Sequence, residues 1–515
     1  MLIRNQLVRF RTNKDGNFAI IFALAMVPFV MVGGMGIDYG INVAVRQKAQ
    51  NAVDATVLTL AKLSTTVSDQ DLQAKADTQV KALLSDGRMR DAVVTAKRDG
   101  DTIRVEIVGN TRTPITSIAG FRQLPIDVTA VARRGSGNLE VALVLDNTGS
   151  MKGTKLANLK SAATSLADSM FKEVDPAKPN SLKMAVVPFS MTVNVGAGYA
   201  NAAFMDVDAK SSIHKEIFAV KDSTANRFSL FGKMKVAWAG CVETRPTPYD
   251  VQEQPPTSAT PDTLYVPFFA PDESDNDGSA VNDYMSDYPS TVPSRSQSSN
   301  DRTRQGQVAK YGSNKVLTAA SSIQSGTGYH YGPNSGCELQ PLTRLTTTKA
   351  TITDAITAMT VLGDTNIATG LTWGWHVLSP NAPFSDGAPY TDEKTRKYVV
   401  LMTDGQNQSA PSNSDNQSYY SGIGFIWNNR IGTTSYDNAT RTKYMDARTA
   451  QLCTNMKSAG IQIFTVRVEV TDGTSDMLRN CASSPDMFYD VQNSSALNDV
   501  FASIGSQINE LRIAK

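Results

Sequence analysis

Histidine is almost missing from this chain: His214, His330 and His376 are the only three in 515 residues, and they lie far apart. A zinc centre or a histidine-driven triad is therefore a poor first expectation. Neither GxSxG nor HExxH occurs, which removes two common hydrolase signatures. An excess of positive charge is missing too, since 50 Lys and Arg stand against 49 Asp and Glu for a net charge of +1. Nothing is left over to neutralise phosphates, so nucleic acid is not expected as a partner. Cysteine is sparse, with Cys241, Cys337, Cys453 and Cys481 and no CxxC spacing. Such an even set reads as two disulfides in an exported chain and as four buried thiols in a cytosolic one. With 41% apolar and 19% charged residues, the composition is globular rather than disordered. The length allows three or four units of about 150 residues each.

Apolarity is concentrated at one place. Phe18 to Ile37 (FAIIFALAMVPFVMVGGMGI) carries no charge. As a helix it reaches roughly 30 Å, one bilayer core. It exceeds the roughly 7–15 apolar residues of a cleavable signal, and no A-x-A site follows, so an uncleaved anchor is expected. Arg4, Arg9, Arg11 and Lys14 precede the run and Asp38 follows it. Residues 1–17 thus read as a cytoplasmic basic tail, 18–37 as a transmembrane helix, and the remainder as exported.

Residues 41–64 have high helix propensity and are expected to continue the anchor outward. Ala44, Ala49, Ala52, Ala55, Leu58 and Ala61 form a small-residue stripe, suited either to other helices or to the helix's own domain. A helical stretch at 71–86 and about three alternating runs up to Arg134 complete a small α+β module over 38–134. The segment RRGSG, Arg133 to Gly137, reads as a linker. From 138 to 515 short apolar runs (140–146, 184–190, 398–404, 461–470, 487–491) alternate with helical patterns (155–171, 349–359, 367–378, 446–458 and the C-terminal stretch). That alternation predicts an α/β fold, a doubly wound parallel sheet covered on both faces. Residues 240–345, rich in Pro, Ser, Asn, Asp and Tyr without periodicity, read as a long, partly ordered insertion. Four cysteines allow three connectivities. Cys453 lies on the helix before the 461–470 strand and Cys481 follows the next short helix, so Cys453–Cys481 is the expected pair. Cys241–Cys337 is then left to staple the insertion.

Three segments carry the candidate chemistry. Asp146-Asn-Thr148-Gly-Ser150 follows the first apolar strand of this region, Asp364-Thr365-Asn366 precedes a helix, and Thr403-Asp404-Gly405 ends another strand. All three fall at one edge of the sheet, where doubly wound folds bind ligands. Two carboxylates and three hydroxyls make a hard, all-oxygen cage suited to Mg²⁺, or to Mn²⁺ or Ca²⁺, with a position left open. The Asp-x-Thr-x-Ser spacing fits a turn that returns alternate residues to one side, and Gly149 is expected to supply a positive φ there.

These residues resemble the metal-ion-dependent adhesion site of von Willebrand factor A domains, whose pattern is Asp-x-Ser-x-Ser, then a Thr, then an Asp in Thr-Asp-Gly. The resemblance implies Asp146, Thr148, Ser150, Thr365 and Asp404 as metal ligands. Thr148 departs from the pattern but keeps the hydroxyl. The N-terminal RFRTNKDGNFAIIFALAMVPFVMVGGMGIDYGINVAVRQKAQNAVDATVLTLAK and the C-terminal CASSPDMFYDVQNSSALNDVFASIGSQINELRIAK resemble TadG-like proteins of the bacterial Tad/Flp pilus assembly system, which carry a pilin-like module at 38–134. Small pilins of that system have a Gly cleavage site with Glu five residues on. Here Gly16 is followed at that distance by Ile21, so such processing is not expected.

The resemblance implies a non-enzymatic, single-pass inner-membrane protein with its C-terminal domain in the periplasm. It would bind a carboxylate-bearing protein partner, a pilus or envelope component, through a bound cation. The alternatives are an envelope binding module unrelated to pili and a metal-dependent hydrolase, for which no general base or nucleophile is evident. Two decoys are set aside. GSMKGTK (149–155) has its second Gly one residue early for a phosphate loop. Glu273, Asp275, Asp277 and Gly278 mimic half a calcium loop but place Tyr284 where the closing acid belongs.

Overall fold

A single helix, α1 (Asn17–Ala61), carries the apolar run and continues well past it. It is long and apolar enough to cross a membrane. The computed structural model describes residues 17–61, 63, 67–100, 102–133, 137–176, 178–218, 224–275, 282–288, 301–324, 328–470 and 476–513. The basic tail, Gly16 and the centre of the RRGSG linker lie outside the described residues, as do Asp277 and Gly278 of the calcium-loop decoy. The chain divides into two compact units, Met1–Ser136 with Glu510–Lys515, and Gly137–Asn509.

In the first unit the helix α2 (Asp69–Leu83) starts at Ser68, whose hydroxyl accepts from the Asp71 amide at 3.1 Å. Three strands follow as an antiparallel meander, β1 (Met89–Asp99), β2 (Thr102–Arg112) and β3 (Gln123–Arg133). Alternation sends Val94, Ala96, Ile103, Val105, Ile107, Ile126, Val128 and Ala130 to one face, where they meet Leu72, Ala76 and Val80 of α2 and one stripe of α1. That stripe is Val45, Ala49, Val53, Val57 and Leu60, at helical spacing. The expected small-residue stripe is not one face: Ala49, Ala52 and Ala61 are buried on this unit while Ala44, Ala55 and Leu58 are exposed. Period 3.6 places 44, 55 and 58 on the far side from 49, 52 and 53.

The second unit is built on a six-stranded sheet. Its elements begin with β4 (Asn138–Asp146), α3 (Thr154–Lys172), β5 (Leu182–Phe189) and the two-residue β6 (Val193–Asn194). They continue through α4 (Arg227–Met234), β7 (Cys241–Val242), the short α5 (Asp301–Gln305), β8 (Thr343–Thr346), α6 (Lys349–Ala358) and α7 (Ile367–Leu378). The last are β9 (Thr395–Thr403), α8 (Asn438–Ser458), β10 (Gln462–Val468), α9 (Asp476–Cys481), β11 (Phe488–Val491) and α10 (Leu497–Ile513). The strand order is β11-β10-β9-β4-β5-β8. All neighbours are parallel except β8, which pairs antiparallel with β5. The sheet is therefore mixed rather than purely parallel. β8 reads Thr-Arg-Leu-Thr and is half-buried throughout, so it lacks the apolar run that marks its neighbours.

Residues 240–345 do more than loop out. Tyr265, Phe269, Tyr284 and Tyr311 belong to the same core cluster as Ala142 and Val144 of β4 and Trp373 of α7. Cys241 is bonded to Cys337, and Cys453 to Cys481. Charge is buried here as well. Lys310 is fully enclosed and pairs with Asp272 at 2.6 Å and Asp287 at 2.9 Å. Glu243 is fully buried and receives hydrogen bonds from Arg227, Arg430 and Tyr420. Burial alone would push its carboxyl up, but the two guanidiniums outweigh that and hold it below the usual range. Glu243→Gln would remove the carboxylate that Arg227 pairs with and leave Arg430 with Glu216 alone. We expect it to cost about 3–5 kcal/mol, read as a lower urea midpoint of the full chain at unchanged slope; an unaltered midpoint would contradict the network.

Candidate functional site

Leu145 pairs with Met402 in the parallel β4–β9 ladder, so Asp146 and Thr403 end neighbouring strands side by side. The Thr403 hydroxyl donates to Asp146 Oδ2 at 2.6 Å, and the Thr148 amide donates to Asp146 Oδ1 at 2.8 Å. Past Asp146 the chain makes a 3₁₀ turn over Gly149–Met151. That turn brings the Thr148 and Ser150 hydroxyls within 3.0 Å of each other. Ser150 Oγ donates to Asp404 Oδ1 at 2.7 Å. The first and third sequence segments are thus joined directly by their side chains.

The second segment is stitched in through backbone. The Gly149 amide donates to the Gly363 carbonyl at 2.9 Å, Leu362 to the Asn147 carbonyl at 2.7 Å, and Gln408 to the Thr365 carbonyl at 2.9 Å. Thr365 is buried, and its hydroxyl lies 3.7 Å from where a Cβ on Gly405 would sit. Asn366 caps α7 by accepting from the Thr369 amide. Asp364 turns away from this group and accepts from the Ala410 amide at 2.6 Å. Gly149 does not adopt the expected positive φ, because the 3₁₀ turn is right-handed. The left-handed residue is Gly153, at φ 88°, where the chain leaves the turn and enters α3.

Asp146 is fully buried, and its carboxyl is pushed up to about 6, by burial first and by the charge of Asp404 second. The hydrogen bonds from Thr403 and Thr148 only partly oppose this. A third charge completes the group: Lys155, in the first turn of α3, places Nζ 2.7 Å from Asp404 Oδ2 and 3.9 Å from Glu469 Oε2. Sequence reasoning passed over Lys155, although it closes the GSMKGTK segment weighed as a phosphate loop. Thr403 was also missed as a functional residue, though it stands within the Thr-Asp-Gly pattern. Among the described residues no group of three or more His, Cys, Asp or Glu is placed to hold a metal. Asp146, Asp404 and the hydroxyls of Thr148, Ser150 and Thr403 meet here, with the Thr365 hydroxyl near Gly405, and such all-oxygen donors fit a hard divalent cation and not a soft one.

The remaining candidates are engaged elsewhere. His214 Nδ1 meets Asp206 at 2.8 Å, and His330 lies 3.3 Å from Glu338. His376 Nε2 meets the Tyr265 hydroxyl at 2.5 Å. Asp275 accepts from the Asp287 amide at 3.0 Å, and the Tyr284 hydroxyl donates to the Ala270 carbonyl at 3.1 Å, so these positions of the calcium-loop decoy are satisfied within the chain.

Residues 16–59 match the family model described as Flp pilus-assembly TadE/G-like, so the chain carries a TadE/G-like segment at its N-terminus. No curated protein matches the sequence. Similar solved structures include proximal thread matrix protein 1 from the mussel byssus, at 11% identity and TM-score 0.29, covering 72% of this chain and 46% of that one. The pilus adhesin SpaC from Lactobacillus rhamnosus GG is 11% identical with TM-score 0.32, covering 82% and 34%. The pilus adhesin RrgA from Streptococcus pneumoniae is 9% identical with TM-score 0.31, covering 80% and 48%. This chain spans less than half the length of each of these three.

The elevated Asp146 carboxyl has a consequence for the metal-free protein. A folded-state pKa above the unfolded value favours the fold at low pH and is lost as pH rises. Between about pH 4 and pH 6 Asp146 should therefore withdraw on the order of 3 kcal/mol of stability. In chelator, the stability difference between wild type and Asp146→Asn should swing toward the Asn variant by that order across this range. Urea unfolding at both ends measures it, and a flat difference would contradict the elevation of the Asp146 carboxyl.

Proposed function

We propose that the protein is a membrane-anchored, envelope-facing component of a Tad/Flp-type pilus. In this reading Gly137–Asn509 is a doubly wound domain of the von Willebrand factor A type that binds a protein partner through a divalent cation, Mg²⁺ or a similar ion. Asp146, Thr148, Ser150, Thr365 and Asp404 would hold the cation. A bound ion would neutralise the two carboxylates and offer an open position to a carboxylate of the partner. The observation that carries the reading is the hydrogen-bonded chain Thr148–Ser150–Asp404, which unites loops 254 positions apart in sequence beside the buried Asp146. The strand order supports the fold assignment, because the chain runs outward from β4 in both directions. The TadE/G-like match over residues 16–59 supports the pilus association, and the apolar α1 supports the anchor. In this reading the role is one of binding; the three histidines are engaged with other residues, away from Asp146 and Asp404.

Lys155 supplies the positive charge at Asp404 in the metal-free chain. A cation at saturating concentration should raise the stability of the full chain in detergent by about 2.7 kcal/mol at a hundredfold excess over Kd. Thermal unfolding with Mg²⁺ or chelator measures this. Asp146→Ala should abolish the difference while leaving a folded protein, and Thr148→Ser should retain it. Equal melting in both conditions for wild type would remove the metal from the reading. A reporter active only in the cytoplasm, fused after Lys515, should be silent; activity there would overturn the orientation.

A further inference from the structure

The buried stripe of α1 starts inside the apolar run. Gly34 is enclosed, although Gly33, Met35, Gly36 and Ile37 around it are exposed. What encloses it is Ile115, from the turn joining β2 to β3: a methyl group at Gly34 would collide with the Ile115 side chain. One helical turn later Asp38 is buried by the same segment. Its Oδ2 accepts from the Thr116 amide at 2.7 Å, the Thr116 hydroxyl at 2.8 Å and the Ile115 amide at 3.1 Å. A further turn along, Asn42 Nδ2 donates to Thr111 Oγ1 at 2.8 Å. Three successive turns of α1 thus fix the β2–β3 turn against the helix, at the level where the charge-free stretch ends.

The turn itself has the composition of a lipid-facing segment. Residues 113–121 read TPITSIAGF and hold no charge, and Arg112 and Arg122 bracket them. The tip is closed on itself: the Phe121 amide donates to the Thr116 carbonyl at 3.2 Å and the Gly120 amide to the Ser117 carbonyl at 3.1 Å. Its backbone is therefore largely satisfied, while Ile118 is 84% and Phe121 63% exposed. Apolar side chains this open to water cost free energy. They stand beside a helix that exposes Phe29, Val32 and Met35.

We propose that the β2–β3 turn is a second membrane contact, inserting Ile118 and Phe121 into the leaflet that receives the C-terminal end of the apolar run. Arg112 and Arg122 then reach the phosphates of that leaflet, as long basic side chains at an interface do. The inference rests on α1 spanning the bilayer. Its effect is to fix the orientation of the first unit's sheet to the membrane plane at two points rather than one.

A photoreactive phenylalanine analogue placed singly at positions 27, 118, 121 and 131 of the full chain tests it, in vesicles of phosphatidylcholine and phosphatidylglycerol. Val27 reports the anchor. Val131 is exposed and apolar but lies on β3 opposite Arg104, about 30 Å along the strand from the turn. We expect phospholipid adducts at 27, 118 and 121, and at least about tenfold fewer at 131 if depth rather than exposure decides. Adducts at 27 without adducts at 118 and 121 would overturn the proposal and leave the anchor standing. Protein rather than lipid adducts at 118 would overturn it in favour of a protein contact, and no lipid adduct at 27 would remove the anchor on which it rests.

Discussion

A strand buried on both faces and flanked on both edges has no room for an unpaired charge, yet β4 ends in Asp146. The strand makes itself tolerable by committing that carboxylate at once, to the hydroxyl that ends β9 and to the amide two residues on. Those two bonds fix the start of the 3₁₀ turn, which aims Thr148 and Ser150 at Asp404. The loop after α6 then has to meet the same turn, and it does so through the Gly149 amide. The site is in this sense a consequence of how one buried acid is satisfied. The satisfaction is incomplete, because Asp404 holds a second charge close by and is itself paired with a lysine in the first turn of α3.

The same problem recurs in residues 240–345 and is solved differently. Glu243 and Lys310 are fully buried, and each is surrounded by opposite charge: two arginines in one case, two aspartates in the other. Enclosed pairs of this kind contribute little net stability but are costly to break. Removing a partner from either would leave a buried charge less compensated. Edge-to-face contacts such as Phe218–Phe269 and Phe269–Tyr311 supply the apolar part. A stretch that looks like loop by composition is in this way continuous with the core of the sheet.

How much of this could be read beforehand follows from what each element needs. β4, β9 and β10 are central strands, and burial on both faces demands the uninterrupted apolar runs that reveal them. The N-terminal part of α1 is legible because residues 18–37 form an apolar run without a single charge. β8 lies at an edge with half-buried side chains, so no run marks it, and with it the antiparallel pair stays hidden. The packed interior of 240–345 is built largely from 3₁₀ turns, isolated bridges and elements of two to five residues, too short to show period 2 or period 3.6. The acids and hydroxyls that meet at the ends of β4 and β9 were findable by type and order. Lys155 was not, because a lysine in the first turn of a helix is ordinary until the partner 249 positions away is known. Gly149 was assigned the wrong backbone for a related reason: a 3₁₀ turn and a left-handed turn both return alternate side chains to one side.

The two outer strands of the six-stranded sheet, β8 and β11, are only four residues each. Long bare edges invite strand addition from other chains, and short ones do not. With both margins cut to four residues, the second unit offers a neighbour very little backbone to extend. Side chains and loops, rather than strand edges, make up most of the surface that its six-stranded sheet presents.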